Sequence, residues 1–175
     1  MTMTSSMEPS IIVPCQTFAL LEARRVTGTH LFRIDGYSAA RRWVVPSYSI
    51  DSPTFSACAH NWKLSFYPNG TGWRPGPASV KLELMEQSKD GVMAVYRLSI
   101  LDGAGNPAYS YCVAPHKYSQ VSDKEKSTSV NVLATPEERE AVLLLVKDDC
   151  LDIRCDIMMT RSIGSLASRC SLESY

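Results

Sequence analysis

The stretch NWKLSFYPNG, residues 61–70, carries the pattern on which the fold assignment depends. Its apolar side chains fall at every second position: Trp62, Leu64 and Phe66. A period of two places alternate side chains on opposite faces of a strand, so the face with Lys63 and Ser65 would meet solvent. The turn-forming residues PNG follow at 68–70. The stretch therefore predicts a half-buried β-strand that ends in a turn.

The same alternation recurs outward from this strand in short bursts, separated by clusters of Gly, Pro, Asn and Asp. The predicted strands cover residues 30–37, 54–57, 62–66, 80–85, 93–101, 108–113 and 151–159. Gly36 interrupts the first of them, where we expect a bulge or a bend. Residues 102–106 are predicted to be a hairpin loop. Many short alternating strands favour an antiparallel β-sandwich over a barrel.

One short helix is predicted just before the last strand. Thr135 is a good N-cap, Pro136 suits the first helical position, and Glu138 completes a capping box ahead of the helix-forming run 139–145. Two other segments receive no regular structure. The segment that contains Trp43 is interpreted as a basic connector, and residues 119–129 are predicted to be a mobile loop because they offer little that could be buried.

We expect a single domain, residues 26–159, between a disordered N-terminal segment, 1–25, and a disordered tail, 160–175. The apolar run at residues 11–13 has no basic residue ahead of it, so the charge layout of a secretory signal is missing. The longest apolar windows are well below the roughly 18 residues that a membrane-spanning helix needs. These features predict a cytoplasmic or nuclear protein that has no membrane partner.

The charge balance predicts local recognition. Eighteen Lys and Arg match eighteen Asp and Glu, so no global field would attract nucleic acid, an acidic membrane surface or an acidic substrate. The arginine pairs at 24–25 and 41–42 are interpreted as solvated surface. Trp62 is predicted to be core, whereas Trp43 and Trp73 lie in connecting segments, where an exposed contact and a packed position are both open.

Neither a metal site nor a cofactor is predicted. The six cysteines are scattered, and no pair has the two-residue gap of zinc and redox motifs. Cys150 and Cys155 come nearest to such a gap, and we interpret both as small buried hydrophobes in a strand. Asp148 and Asp149 are predicted to cap the turn between the helix and the last strand.

No catalytic centre is predicted either. Nucleophilic catalysis would need a Cys or Ser beside a His and an orienting carboxylate, and the three histidines are far apart in the sequence. His30 opens a strand and is expected to be structural. His60 is expected in an exposed turn.

Three longer stretches resemble a known family: GTHLFRIDGYS at 28–38, SPTFSACAHNWKLSFYPNG at 52–70 and KDDCLDIRCDI at 147–157. Together they look like a MATH (meprin and TRAF homology) domain, similar to the large grass family in which a MATH domain precedes a BTB domain. The resemblance implies an antiparallel sandwich of about eight strands with a shallow groove that holds an extended, Ser/Thr-rich peptide. It also implies a substrate adaptor of cullin-based ubiquitin ligases, in which the MATH domain holds the substrate and the BTB domain holds the cullin.

The resemblance suggests which residues line the groove. Tyr96 matches an aromatic groove position, whereas Lys81 stands where the family has a tyrosine. Tyr118 resembles the aromatic residue of a segment that precedes a Trp-Gly motif, and His116 lies beside it. The predicted peptide-binding residues are therefore Lys81, Tyr96, His116 and Tyr118. The Trp-Gly motif itself is replaced by KEKSTSVN at 124–131, and losing a central anchor costs about 2 kcal/mol or more. Two explanations of this loss are open: the peptide specificity has diverged, or the gene copy is decaying.

Two functions are compatible with these residues. The first is an interaction module that binds extended Ser/Thr-rich segments of substrate proteins. The second is a MATH-only decoy or competitor that pairs with other MATH-BTB proteins and has little affinity for peptides. The chain ends before a BTB domain could begin, so no direct cullin binding is expected, and the composition of the tail suggests a truncated or frame-altered gene product. Some ubiquitin-specific proteases carry MATH domains, but nothing in this chain resembles their catalytic Cys and His boxes.

Overall fold

The structure is a computed structural model that describes residues 23–88, 90–119 and 122–162. Within these ranges the chain forms two antiparallel sheets that enclose one core, so the predicted antiparallel β-sandwich is confirmed. The disorder predicted for residues 1–22 and 163–175 concerns segments outside the described residues.

The described strands are divided between the two sheets. The strands are β1 (Ala23–Asp35), β2 (Ile50–Asp51), β3 (Phe55–Ala57), β4 (His60–Tyr67), β5 (Ser79–Leu84), β6 (Val92–Leu101), β7 (Pro107–Tyr118), β8 (Ser127–Asn131) and β9 (Cys150–Ser162). The helices are α1 (Tyr37–Trp43), α2 (Asp123–Lys126) and α3 (Pro136–Leu145). The first sheet has the order β1-β9-β6-β7, and the second has the order β2-β4-β5-β8 with β3 paired to β4.

The core lies between the sheets and consists of the side chains that the alternation assigned to it. The second sheet contributes Trp62, Leu64, Phe66, Val80, Leu82 and Leu84, and the first sheet contributes Leu98, Ile100, Leu151, Ile153 and Cys155. All of them are almost fully buried. Burying one large apolar side chain contributes about 1.5–3 kcal/mol, so these two faces dominate the stability of the fold.

At one edge of the sandwich β1 passes very close to β3. A Cβ atom at Gly28 would lie 2.7 Å from the Cβ atom of Ala57, a distance that two side chains cannot share. The glycine is therefore needed for space at this position, which is a physical reason for the start of the GTHLF motif.

The segment expected to be a basic connector is instead the helix α1, and that interpretation was wrong. Gly36 adopts φ +72° and ends β1, in agreement with the bend expected there. Asp149 then caps the new helix: its Oδ1 accepts from the backbone N–H of Ser38 at 2.9 Å, and its carbonyl accepts from that of Tyr37 at 2.9 Å. Because the cap lies 111 positions along the chain, the local sequence does not show it.

The segment predicted to be a mobile loop also proved to be structured where it is described. Residues 123–126 form α2, and β8 begins at Ser127 and pairs with β5 from Glu83↔Ser127 to Ser79↔Asn131. Its sequence, STSVN, contains one apolar residue and gives no alternation. Backbone pairing with β5 supplies the hydrogen bonds that the composition does not suggest.

The other predicted strands and the helix are present, with bounds that differ by a few residues; β1, for example, ends at Asp35 and not at Tyr37. The capping box of α3 is present, with the Thr135 hydroxyl accepting from the Glu138 N–H at 3.2 Å and the Glu138 carboxylate accepting from the Thr135 N–H at 3.3 Å. β1 and β9 pair from Ala23↔Ser162 to Asp35↔Cys150, so paired strand extends to residues 23 and 162, beyond the expected limits of 26 and 159.

Candidate functional site

Two of the four predicted peptide-binding residues lie inside the sandwich. Tyr96 on β6 is 1% exposed and Tyr118 at the end of β7 is 0% exposed. Neither ring can form the wall of an open groove in this conformation, so their assignment to a groove surface is corrected. The sequence pattern already placed Tyr96 on the same face as Leu98 and Ile100, and that face proved to be the core.

Both tyrosines converge on Thr128 of β8. The Thr128 hydroxyl donates to the Tyr96 hydroxyl at 3.2 Å, the Tyr96 hydroxyl lies 3.4 Å from the Thr128 carbonyl, and the Tyr118 hydroxyl bonds the Thr128 hydroxyl. Burial raises the pKa of Tyr96 to about 12 and raises that of Tyr118 as well, so both phenols are neutral at physiological pH. This tyrosine–threonine cluster fastens β8 to the end of β7.

His116 extends this cluster toward the surface. It lies on β7 and is half-buried, and its ring meets Tyr118 edge-on with centroids 4.7 Å apart. Tyr118 in turn meets Trp62 edge-on at 5.0 Å, deep in the core. The His116 Nε2 atom is buried and has no hydrogen-bond partner among the described residues. Such an atom is a candidate to pair with an incoming polar group.

Lys81 lies on the other sheet and faces away from the tyrosine–threonine cluster. Its ammonium is 3.5 Å from one carboxylate oxygen of Glu83, and the ammonium of Lys126 is 2.9 Å from the other. Burial favours the neutral acid, but the hydrogen bond from Lys126 and the charge of Lys81 hold the pKa of Glu83 below its ordinary value. The structure therefore does not bring Lys81, Tyr96, His116 and Tyr118 together as one groove.

The outer edge of β7 is a surface that the sequence analysis did not predict. β7 ends the first sheet and pairs only with β6 in the described part of the chain. None of the backbone bonds made outside the sheet ladders by described residues involves β7. An unpaired strand edge presents a row of N–H and C=O groups to solvent.

Two prolines delimit this edge. Pro107 opens β7, and Pro115 lies in a β-bulge, where the pairing shifts from Tyr96↔Val113 to Ala94↔His116. Proline has no N–H to donate, and within sheets it is confined to edge strands, strand starts and bulges. Residues 108–114 therefore form one continuous free edge. The two prolines were the sequence signal for it.

The remaining chemical candidates stand apart from one another. His30, half-buried on β1, stacks on Phe55 with ring centroids 3.8 Å apart, as befits the structural role expected for it. His60 was expected in an exposed turn, but it opens β4, is half-buried and contacts the carboxylate of Glu86. The turn itself is made by Cys58 and Ala59, which have positive φ angles.

The cysteine and aspartate pairs follow the geometry of β9. Cys150 and Cys155 are five positions apart on that strand and so point to opposite faces. Cys155 is fully buried as predicted, whereas the half-buried Cys150 thiol donates to an Asp35 carboxylate oxygen at 3.1 Å. Asp148 and Asp149 form the predicted turn with φ angles of 54° and 57°. No three His, Cys, Asp or Glu side chains of the described residues are arranged to hold a metal ion.

None of the helices in residues 23–88, 90–119 and 122–162 has the length and apolar character needed to cross a bilayer.

Comparison with known proteins agrees with this architecture. The family model described as MATH domain matches residues 29–157. Among curated proteins, BTB/POZ and MATH domain-containing protein 4 of Arabidopsis thaliana is 29% identical over 157 residues, which is 82% of this chain and 32% of that protein. BTB/POZ and MATH domain-containing protein 3 of the same species is 26% identical over 149 residues, which is 78% of this chain and 35% of that protein. Protein 6 of the series is 31% identical over 110 residues, which is 60% of this chain and 26% of that protein. The chain thus spans about a third or less of each relative.

We expect Thr128→Val to lower the free energy of unfolding by about 1–3 kcal/mol, because it leaves two buried phenols without their shared partner. Thr128→Ser keeps the hydroxyl and should cost clearly less. Urea unfolding followed by circular dichroism measures both. A valine variant as stable as the parent would show that the tyrosine–threonine cluster does not secure β8.

Burial lowers the pKa of His30. Above about pH 6.5 the imidazole is neutral in both states, and as the pH falls below that value the unfolded chain binds the proton first. The free energy of unfolding should therefore fall between about pH 7 and pH 5.5, by at most about 1.4 kcal/mol per pH unit for this one proton. His30→Phe keeps a ring against Phe55 and should flatten the slope. An unchanged slope in urea titrations would contradict this.

Proposed function

Because the chain belongs to the MATH domain family, we propose that it is a protein-interaction module that binds extended segments of partner proteins along the free edge of β7. The observation that carries the proposal is the unpaired outer edge of residues 108–114, on the side of β7 away from β6 and between Pro107 and Pro115. An extended segment can add to such an edge as one more strand, with main-chain hydrogen bonds that require no particular sequence. The function is recognition, and no reaction is proposed.

The side chains along this edge fit a segment rich in serine and threonine. Between the two prolines the exposed positions of β7 carry small side chains: Ala108, Ser110, Cys112 and Ala114. The positions between them, Tyr109, Tyr111 and Val113, are half-buried and pack on the core. Side chains directly opposite each other in an antiparallel pair are only about 4.5–5.5 Å apart at Cβ, so a strip of small residues suits short neighbours such as Ser and Thr.

His116 and Lys81 remain proposed contacts, with different support. His116 follows Pro115 at the C-terminal end of the free edge, and its Nε2 atom has no hydrogen-bond partner among the described residues. Lys81 is already engaged with Glu83, and its proposed contact rests on the family resemblance alone.

We further propose that the partners are substrates for ubiquitin-dependent degradation, and that the protein acts in the cytoplasm or nucleus. The support is the similarity to Arabidopsis thaliana proteins whose names combine MATH with BTB/POZ. This chain matches about a third of each of those proteins. We assign to it the substrate-holding part of such an adaptor.

A second candidate function, that of a decoy, has one observation in its favour. A strand edge that can accept a peptide can also accept the edge strand of another sandwich. In that case the chain would pair with a MATH-BTB protein and block it. Sedimentation of this chain mixed with such a protein, without added peptide, separates the two functions, because only the decoy predicts a stable complex.

An array of Ser/Thr-rich peptides, read by fluorescence polarisation, tests the peptide-binding proposal. Ala108→Lys with Ala114→Lys places charged side chains at both ends of the free edge, a device that natural edge strands use against pairing. We expect this double variant to lose about tenfold or more in affinity. Leu144→Lys on the exposed face of α3 is the matched control and should bind like the parent.

His116→Ala and Lys81→Ala in the same assay show which of the two proposed contacts is made. Equal binding by the double variant and the parent would remove the β7 edge as the site. Absence of binding to every peptide would instead favour the decoy.

A further inference from the structure

Four large apolar side chains are exposed on two neighbouring segments, the end of α1 with the chain after it and the connection between β4 and β5. They are Trp43 (72% exposed), Val45 (56%), Tyr48 (67%) and Trp73 (100%). The first three lie at and after the end of α1, and the fourth lies in the connection between β4 and β5. Exposed single residues are common, but clustered exposed aromatic residues mark interaction sites. We call residues 41–48 and 69–76 the tryptophan lobe.

Hydrogen bonds join the two segments of the tryptophan lobe. The Asn69 side-chain amide donates to the carbonyls of Arg41 at 2.9 Å and Val44 at 2.7 Å, which also satisfies the end of α1. The Ser47 hydroxyl lies 3.0 Å from the carbonyl of Thr71 and 2.8 Å from that of Gly72, and the Ser47 N–H donates to the Gly70 carbonyl at 2.9 Å. These bonds fix the backbones that carry both exposed tryptophans. Binding to such a surface loses little conformational entropy.

The charge of the tryptophan lobe differs from that of the whole chain. Residues 37–49 and 68–77 contain Arg41, Arg42 and Arg74 and no Asp or Glu, although the chain as a whole is neutral. No carboxylate of the described residues forms an ion pair with any of the three. The guanidinium of Arg42 lies over the Trp43 ring, 5.0 Å from its centroid. Tryptophan, tyrosine and arginine are also the residues enriched in binding hot spots.

We propose that the tryptophan lobe is a second interaction surface, which binds an acidic segment with apolar side chains on a partner protein. The arginines would pair with the carboxylates, and the two indoles would cover the apolar side chains. Sheet order separates this surface from the peptide edge. α1 follows β1, which is one edge strand of the first sheet, and β7 is the opposite edge strand. The two surfaces thus lie on different edge strands, and this proposal does not depend on binding at β7.

A protein segment fits the tryptophan lobe better than a nucleic acid does. Binding to a phosphate backbone needs a stripe of cations that follows successive phosphates. Arg25, which could extend such a stripe, lies near the start of the thirteen-residue strand β1, whereas Arg41 lies in α1, after the end of that strand. Three arginines beside two tryptophans match a short acidic and apolar segment.

The probe for a test is a fluorescein-labelled peptide that alternates glutamate with leucine and phenylalanine, and its counterpart has lysine in place of glutamate. We expect the acidic peptide alone to raise polarisation. It should also reduce acrylamide quenching of tryptophan fluorescence, since Trp43 and Trp73 are exposed while Trp62 is fully buried and serves as an internal reference. Arg42→Glu with Arg74→Glu should weaken binding about tenfold or more, and so should Trp73→Ala. Lys147→Glu reverses an exposed charge outside the lobe and should not.

All substituted positions are exposed, and circular dichroism checks that each variant is folded. The proposal is overturned if the acidic peptide does not bind, or if the lobe variants bind it as the parent does. It is also overturned if a single-stranded oligouridine competes for the lobe more strongly than the acidic peptide, because the occupant would then be RNA. A self-association of the chain that is seen by sedimentation and abolished by Trp73→Ala would likewise overturn it, because the occupant would then be a second copy.

Discussion

The hydroxyl of Thr128 is the interaction on which the geometry of the binding edge depends. Tyr96 comes from the middle of the first sheet, Tyr118 from the end of its edge strand, and Thr128 from the edge strand of the second sheet. One hydroxyl group thus joins both sheets. A buried hydroxyl that lacks a partner is costly, so the three groups constrain one another. β8 is thereby fixed to the end of β7, while the outer edge of residues 108–114 stays unpaired.

The two surfaces of the domain follow from how each edge of the sandwich ends. At the β7 edge the backbone itself is the proposed binding element, and the small exposed side chains leave it accessible. At the opposite edge the chain leaves β1 through Gly36 into α1, and Asn69 ties that helix to the connection between β4 and β5. The recognition that we propose for the first surface rests on main-chain groups, whereas that proposed for the second rests on tryptophan and arginine side chains. Such an arrangement suits a module that holds one protein relative to another.

The sequence alone predicts the sandwich and most of its strands because alternation reports burial directly. The burial of Val80, Leu82 and Leu84 follows from their alternation alone. The capping box of α3 is likewise visible in the sequence, because it joins Thr135 to Glu138, only three positions away. The sequence did not predict α1, whose cap is supplied by Asp149, or β8, whose polar residues are held by β5 and the two tyrosines. Both depend on contacts between distant segments. Tyr96 and Tyr118 were assigned to a groove from the family resemblance, whereas the alternation already places Tyr96 on the buried face of β6 with Leu98 and Ile100.

Site-resolved amide hydrogen exchange of β7, in the free protein and with a bound Ser/Thr-rich peptide, tests the central claim most directly. In the free protein, every second amide in residues 108–114 should exchange rapidly while the amides of β6 and β9 stay protected, since only an edge strand leaves alternate N–H groups unpaired. With peptide bound, the same rapid amides should become protected by about tenfold or more. Protection along all of β7 in the free protein, or no change there when a peptide is bound, would contradict the account.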